Sequence, residues 1–209
     1  MAEVITICTP NFGGLYPWYV GSLADTIATM GPVVRWVCKT SPYLSEARDW
    51  LAAETLKMGA EGALWIDSDM AWRVTDITLL LGEAEKRKGD VVGAFYPSRA
   101  AENVCVGSPI SEKALDAVMD QPCIEAHHLG MGFCWTPREV LEKLGGPPWF
   151  PTYYDEKGKF VGEDVGFAER CHGAGVRLWG CTHLSVGHAF EPGPRTMGEW
   201  FRDYAERRA

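Results

Sequence analysis

Several features are scarce or missing in this chain of 209 residues, and each absence argues against a class of protein. No stretch approaches the roughly 20 apolar residues that a membrane-spanning helix needs, so stable membrane insertion is not expected. Positive charge is in deficit, because 20 Lys and Arg stand against 28 Asp and Glu. The resulting net charge of −8 argues against broad electrostatic binding to nucleic acid or anionic lipid. The phosphate-loop pattern GxxxxGK followed by Ser or Thr is also absent, although Gly13-Gly14 follows the first predicted strand.

The seven cysteines follow no regular spacing, and the CxxC pairs typical of zinc ribbons are missing. Their odd number and the apolar neighbours of Cys8 and Cys38 predict reduced, mostly buried thiols in a cytoplasmic protein. Cys171-His172 and Cys181-x-His183 leave a structural zinc site as the less favoured alternative. Because the N-terminus contains Glu3 and only a short apolar run, we expect it to begin a first strand rather than a signal peptide.

Short apolar segments alternate with segments of helical pattern, which predicts an α/β domain with a mostly parallel sheet flanked by helices. In such sheets, ligands bind beyond the carboxyl ends of the strands. Strands are predicted at 4–8, 33–37, 63–66, 91–95, 104–109 and 128–135, with a strand pair at 177–186. Helices are predicted at 18–30, 45–58 (capped by Ser45), 75–86, 111–119, from Pro137, 163–173 and 197–208, with loops at 145–161 and 191–195.

The segment 64–70, LWIDSDM, ends an apolar run with two aspartates one residue apart. In an extended backbone, residues i and i+2 project to the same face, so Asp67 and Asp69 are expected to approach one divalent cation. Carboxylate oxygens suit Mg²⁺ or Mn²⁺, which usually keep positions for water and substrate phosphates. The alternative is a strand that ends in a turn, with Asp69 capping the segment that follows.

Taken with other segments, this DxD pattern resembles the glycosyltransferases of the GT-A fold, in particular the family 2-like enzymes. The resemblance spans nearly the whole chain. It implies a single-domain, Rossmann-like GT-A fold over residues 1–209, with a nucleotide-binding half at 1–100 and an acceptor-binding half at 101–209. The matching segments are 4–10 as first strand, Ala47-Arg48 on the second helix, 64–70, Gly130-Met131-Gly132-Phe133 before a helix, 162–167 opening another helix, and Val186-Gly187-His188.

The resemblance implies a metal-dependent glycosyltransferase that moves a sugar from a UDP- or GDP-sugar to an acceptor hydroxyl, with inversion. A Mn²⁺ or Mg²⁺ ion would stabilise the charge that develops on the leaving diphosphate. Asp69 is expected to be the first metal ligand, Asp67 to bind the metal or the ribose, and His188 to be the third ligand. His183, five residues before His188 on a predicted strand, would face the other way.

The same resemblance places a catalytic base at Glu163-Asp164, and Asp164 is preferred. A structural interpretation of this pair is that acidic residues in a first helical turn complement the helix dipole. We expect the donor to be bound by strand-end backbone groups, an arginine, the DxD segment, a close backbone approach at a glycine and a loop that closes over the diphosphate. These residues are Thr9, Pro10, Asn11, Arg48, Asp67, Ser68, Gly132 and Arg195.

The acceptor stays open between a sugar, a protein, a lipid and a modified DNA base. Arg87, Lys88 and Arg99 are candidates for a basic groove that would suit the last of these. Aromatic side chains at Trp149, Phe150, Tyr153 and Tyr154 suit sugar rings, or else form a small core of their own loop. Self-association into a homo-oligomer is also left open.

Two other functions are compatible with the motifs. A haloacid-dehalogenase-type phosphatase also places DxD after an apolar strand, but it requires Thr or Val where this chain has Ala71. A non-catalytic protein that binds nucleotide sugars could keep the fold without turnover.

Overall fold

A computed structural model of the protein describes residues 4–97, 105–109, 121–189 and 194–196. Its centre is an eight-stranded sheet with strand order β2-β1-β3-β10-β5-β13-β9-β8. Six of these strands run in one direction, and β9 and β10 run against them. The strands of the described residues are β1 (Ile5–Asn11), β2 (Val34–Thr40), β3 (Gly62–Ile66), β4 (Met70–Ala71), β5 (Val91–Ala94), β6 (Tyr96–Pro97), β7 (Cys105–Val106), β8 (Ser108–Pro109), β9 (Cys123–His128), β10 (Phe133–Pro137), β11 (Tyr153–Tyr154), β12 (Phe160–Val161), β13 (Leu178–Cys181), β14 (Gly187–Ala189) and β15 (Pro194–Thr196).

Helices cover both faces of this sheet. One face is packed by α2, α4 and α5, which contribute side chains such as Leu51, Leu141 and Phe167 to one buried cluster. The other face is packed by α1 and α3, through side chains such as Leu23 and Ile77. The helices of the described residues are α1 (Pro17–Met30), α2 (Leu44–Lys57), α3 (Val74–Glu85), α4 (Arg138–Lys143) and α5 (Glu163–Gly173).

β3 explains why the sheet has two cores. All five of its residues are buried, and successive side chains point to opposite faces. Leu64 and Ile66 therefore join the α1/α3 cluster, whereas Ala63 and Trp65 join the other cluster. This layered arrangement confirms the predicted α/β class with helices on both faces of a mostly unidirectional sheet.

Several predicted boundaries are wrong for identifiable reasons. Ser45 does not cap α2: the helix begins at Leu44, Tyr43 occupies the N-cap position without a side-chain bond, and the hydroxyl of Ser41 accepts a hydrogen bond from the Tyr43 amide. The single strand predicted at 128–135 is two strands, β9 and β10, separated by a turn at Met131 and Gly132.

Later boundaries differ in the same way. The predicted strand 104–109 is split into β7 and β8 at Gly107, whose φ of +110° favours glycine. The loop at 145–161 contains the β11–β12 hairpin, and the strand pair at 177–186 is one strand, β13. Part of the predicted loop 191–195 belongs to β15. The helices predicted at 111–119 and 197–208 lie outside the described residues.

The prediction of reduced cysteines is wrong for one pair. Cys123 and Cys181, which are partners in the β9–β13 register, form a disulfide across 58 residues of sequence. Cys8 is a buried thiol, and burial raises its pKa to about 12. The described residues contain no helix that is both long enough and apolar enough to cross a membrane.

Candidate active site

The site lies where β3 ends, beside the carboxyl end of the parallel strand β1. The backbone does not stay extended through the two aspartates: the Met70 amide bonds to the Asp67 carbonyl at 3.0 Å and closes a turn. The expectation that Asp67 and Asp69 project to one face of an extended strand is therefore wrong. A short ladder then pairs Met70 in β4 with His188 in β14, which brings a histidine from late in the chain to the aspartates.

His188 and Asp69 are in contact, and both are buried. The distance between His188 Nε2 and Asp69 Oδ2 is 3.4 Å. His188 Nδ1 lies 2.8 Å from the carbonyl oxygen of Pro97, and the ring packs edge-on against Tyr96. Because a carbonyl oxygen only accepts hydrogen bonds, we assign the ring hydrogen to Nδ1. Nε2 consequently presents its lone pair beside a carboxylate oxygen, an arrangement that suits the binding of a cation.

Asp67 points elsewhere, into what we call the Arg48 cluster (Arg48, Asp67 and Glu163). Arg48 is 1% exposed, and its Nη2 lies 2.9 Å from Asp67 Oδ1, while its Nε lies 3.5 Å from Glu163 Oε1. The rings of Trp65 and Phe150 flank the guanidinium at about 6 Å. The possible ligand atoms of Asp67, Asp69 and His188 do not all lie within 4.8 Å of one another. That Asp67 binds the same cation as the other two residues therefore stays a prediction.

The charges of the Arg48 cluster depend on one another. Burial opposes the charge on Arg48, but the carboxylates of Asp67 and Glu163 outweigh it and raise the pKa of the guanidinium. Burial also raises the pKa of Glu163, more than the charge of Arg48 lowers it. Arg48 therefore links the DxD segment to the first residue of α5 through a permanently charged side chain.

A cavity of about 490 Å³ opens beside the aspartates. The β1–α1 loop forms its other wall and is tied to the DxD segment, since the Tyr16 amide donates to the Ser68 carbonyl at 3.1 Å. Phe12 on this loop is 79% exposed. The lining residues are Pro10, Phe12, Gly13, Gly14, Leu15, Tyr16, Pro17, Leu44, Asp67, Ser68 and Asp69.

The predicted strand-end residues divide between cavity and scaffold. Pro10 lines the cavity. The Thr9 hydroxyl is buried, where it bonds to the Tyr19 hydroxyl and accepts from Trp36 Nε1 at 3.0 Å. Asn11 shapes the loop, because its side-chain oxygen accepts from the Gly14 amide at 2.9 Å.

Gly132 lies against the aspartates from the side of β10. Its amide donates to the Tyr96 hydroxyl at 2.8 Å, and its carbonyl accepts from the Asp67 amide at 3.1 Å. A Cβ at this position would lie 2.5 Å from Tyr96 Oη, so the close packing requires glycine. Arg195 is placed opposite His188 by the β14–β15 register, at the edge of the site.

Glu163 and Asp164 begin α5, as predicted. Glu163 faces Arg48, whereas Asp164 is half-buried and its Oδ1 accepts a hydrogen bond from the Val165 amide at 2.8 Å. Burial lowers the pKa of His128, against the opposing charge of Asp164. His128 is thus an electrostatic neighbour of the candidate base that the sequence did not single out.

Tyr96 is the other residue that the sequence analysis missed. It is buried between Gly132 and His188, and burial, followed by the charge of Asp67, holds its pKa well above the usual value. Its hydroxyl therefore stays protonated beside the aspartates. The available signal was its position just after the buried strand β5, at the sheet edge where ligands bind.

The predicted aromatic cluster separates into two parts. Trp149 and Phe150 are buried, and their amides are held by Asp49 Oδ1 at 2.8 and 3.0 Å. Tyr154 lies on the β11–β12 hairpin, is 73% exposed and contacts the exposed ring of Phe160 at a centroid distance of 5.5 Å. The hairpin thus presents an aromatic surface just before Glu163.

The predicted basic groove is only partly described. Arg87 forms an ion pair with Glu83, and Lys88 forms one with Glu85 at 2.7 Å. Both positive charges are therefore paired with carboxylates of α3. Arg99 lies outside the described residues.

Comparison with known proteins yields matches in structure. No family model matches the sequence, and no curated protein does. The crystal structure of A197 from STIV aligns with a TM-score of 0.64 and 18% identity, over 91% of this chain and 86% of that chain. The crystal structure of GalNAc-T7 with UDP, GalNAc and Mn²⁺ aligns with a TM-score of 0.60 and 11% identity, over 90% of this chain and 44% of that chain. The chain therefore has a GT-A-like fold.

Proposed function

We propose that this protein is a metal-dependent glycosyltransferase that transfers a sugar from a nucleotide-diphosphate donor to an acceptor hydroxyl. The observation that carries the proposal is the buried contact between Asp69 and His188 beside a cavity of about 490 Å³, at the edge of the sheet where α/β folds bind ligands. The fold neighbour GalNAc-T7 was crystallised with UDP and Mn²⁺, which makes the same ligand classes reasonable candidates here.

The donor set at this position fits Mn²⁺ or Mg²⁺. Asp69 supplies a carboxylate oxygen, and His188 supplies a ring nitrogen whose orientation is fixed by its bond to the Pro97 carbonyl. A carboxylate with an imidazole favours Mn²⁺ over Mg²⁺, since nitrogen ligands suit transition metals. When bound, the cation would stabilise negative charge on the departing diphosphate.

The protein's own residues have separate tasks in this proposal. Phe12, Tyr16 and the Ser68 backbone would line the nucleoside part of the donor, because they border the cavity. Asp164 would accept the proton of the acceptor hydroxyl as its oxygen attacks the anomeric carbon, which leads to inversion. Asp164 suits this task better than Glu163, whose carboxylate is paired with Arg48.

The first experiment is calorimetric titration of UDP and GDP with and without Mn²⁺, followed by transfer and hydrolysis assays with a panel of nucleotide sugars. We expect one diphosphate to bind tightly only with the metal, and its sugar conjugate to be turned over. Asp69→Asn should remove the metal-dependent part of binding. Asp25→Asn, which changes an exposed carboxylate on α1, is the matched control.

The outcomes separate the proposed enzyme from its alternatives. Metal-dependent binding without any turnover would favour the non-catalytic nucleotide-sugar-binding protein. Binding of neither diphosphate, with or without Mn²⁺, would contradict both. A phosphorylated aspartate formed from a phosphodonor would instead support the phosphatase.

A further inference from the structure

A second group of metal-ligating side chains lies at the carboxyl end of β13, three positions from β3 in the strand order. Cys123 begins β9, Cys181 ends β13, and the chain then turns so that His183 lies beside them. One ligand atom from each of these three residues lies within 4.8 Å of the others. Both cysteines are buried, and His183 is exposed, so a cation from solution would approach from the histidine side.

The histidine is oriented by the backbone. His183 Nδ1 lies 2.8 Å from the carbonyl oxygen of Pro122, the residue before Cys123. The oxygen can only accept, so Nδ1 carries the ring hydrogen and Nε2 carries the lone pair. A histidine whose other ring nitrogen donates to a backbone carbonyl is the usual arrangement of metal ligands in proteins.

The two sulfur atoms are joined as a disulfide, and in that state they are not thiolates and do not ligate a metal. A dithiol or phosphine reductant changes this. A dithiol transfers two electrons to the S–S bond, which becomes two thiols, while the dithiol itself becomes a disulfide. The two thiols can then release their protons to the solvent as their sulfur atoms bind a cation.

We propose that Cys123, Cys181 and His183 form a redox-controlled site for a zinc-like cation. The oxidised state is the disulfide without metal, and the reduced state holds one cation through two sulfurs and one imidazole, with a fourth position for water. Sulfur and nitrogen ligands select Zn²⁺ over Mg²⁺, so the site is chemically separate from Asp69 and His188. It is independent of the proposed sugar transfer.

The test uses the full chain, reduced anaerobically with a phosphine, which takes oxygen from water to become a phosphine oxide as the disulfide becomes two thiols. Thiol counting before and after reduction should show two additional thiols. Titration with Co²⁺, which takes the same ligands as Zn²⁺, should then produce a thiolate-to-cobalt absorption band that saturates at one equivalent. The oxidised protein should show no such band.

Variants identify the ligands. Cys181→Ser should remove the band, and His183→Ala should weaken Co²⁺ binding by at least about tenfold. Cys38→Ser and His127→Ala, which change a cysteine and an exposed histidine outside the cluster, should leave the titration unchanged. Asp69→Asn should also leave it unchanged, which separates this site from the proposed donor site.

The proposal is overturned if reduced wild-type protein shows the same Co²⁺ absorption as Cys181→Ser, or if His183→Ala binds Co²⁺ as tightly as wild type. His183 is exposed, so its substitution keeps the test valid even if the cysteine variant fails to fold. In either of these cases the bridge between β9 and β13 is a structural disulfide only.

Discussion

The Asp69–His188 pair and the Arg48 cluster lie on the same edge of the sheet, but their charges are balanced differently. In the Arg48 cluster, the positive charge is a buried side chain of the protein, held 2.9 Å from Asp67. In the Asp69–His188 pair, a carboxylate oxygen lies 3.4 Å from a ring nitrogen, and the two atoms are a donor set that suits a metal ion. The two aspartates of one DxD segment therefore have different partners: Asp69 contacts His188, and Asp67 contacts Arg48.

The largest expected effect concerns Asp164, which adjoins the Arg48 cluster without pairing to Arg48. Asp164→Asn should leave donor binding intact but lower the rate of transfer by about 10²- to 10⁴-fold, because the acceptor proton loses its base. Calorimetry and single-turnover transfer measured on the same preparation separate the two effects. A variant that transfers at the wild-type rate would remove Asp164 from this role.

The next effect tests the ligand pair directly. Asp69→Ala should lower Mn²⁺-dependent turnover of the donor by at least about 10²-fold, since stabilisation of the leaving charge is lost. The thermal midpoint of the variant is measured alongside, because Asp69 is buried and a loss of turnover has to be separated from a loss of folding. If turnover keeps its wild-type value across a Mn²⁺ titration, the pair is not the metal site.

Replacement of Arg48 is expected to lower the stability of the fold. Arg48→Met leaves the carboxylates of Asp67 and Glu163 without their counter-charge, so the free energy of unfolding should fall by about 3 kcal/mol. We take the lower end of the range for buried pairs because both carboxylates are partly exposed. Urea unfolding measures the change.

The control for Arg48 is the triple variant Arg48→Met, Asp67→Asn and Glu163→Gln. It should recover part of the loss, because no carboxylate is then left without its counter-charge. Equal stability of Arg48→Met and wild type would show that the cluster contributes nothing to folding.

A smaller effect is expected at the β11–β12 hairpin, where a substitution tests the proposed binding of the acceptor. Tyr154→Ala should raise the KM for the acceptor about threefold to tenfold with little change in kcat, since an exposed aromatic ring contributes to binding of a sugar ring. The matched control is Tyr43→Ala, which changes a tyrosine that is 67% exposed at the N-cap of α2. An unchanged acceptor KM in Tyr154→Ala would remove the hairpin from the acceptor site.

The smallest effect is a pH dependence in the Arg48 cluster. Because the pKa of Glu163 is raised above its ordinary 4.5 on folding, the folded state holds this proton more tightly than the unfolded state. Its contribution to stability is present below pH 4.5 and is lost as the pH rises through the folded pKa. Wild type should therefore lose stability relative to Glu163→Gln over that interval, as measured by urea unfolding at several pH values; a constant difference would contradict this.

The fold could be predicted from the sequence where local pattern and tertiary environment agree. β3 is a continuous apolar run because both of its faces are buried, and α5 begins at the acidic pair Glu163-Asp164, as helices often do. The sequence allowed both an extended DxD segment and a turn, and it could not decide between them, because the alternation rule holds only while the backbone stays extended. The turn that the hydrogen bond from the Met70 amide to the Asp67 carbonyl closes gives the two aspartates different contacts.

Long-range contacts could be predicted from the sequence only in part. The motif order suggested that His188 lies near Asp69, but nothing local indicated that the Pro97 carbonyl would orient its ring. The disulfide was missed for the same reason: Cys123 and Cys181 are neighbours only because β9 and β13 pair in a particular register. Tyr96 belongs to no sequence motif, and only its contacts with Gly132 and His188 place it in the site.

The position of β10 has a consequence for how the chain acquires its shape. This strand, residues 133–137, lies between β3 and β5 in the sheet. The two strands can therefore be joined only after β10, which is synthesised well after both of them, has emerged. A nascent chain that has emerged only as far as Pro97 exposes two apolar strand edges, which are templates for aggregation. Residues 1–100 are therefore expected to be a poor candidate for expression by themselves.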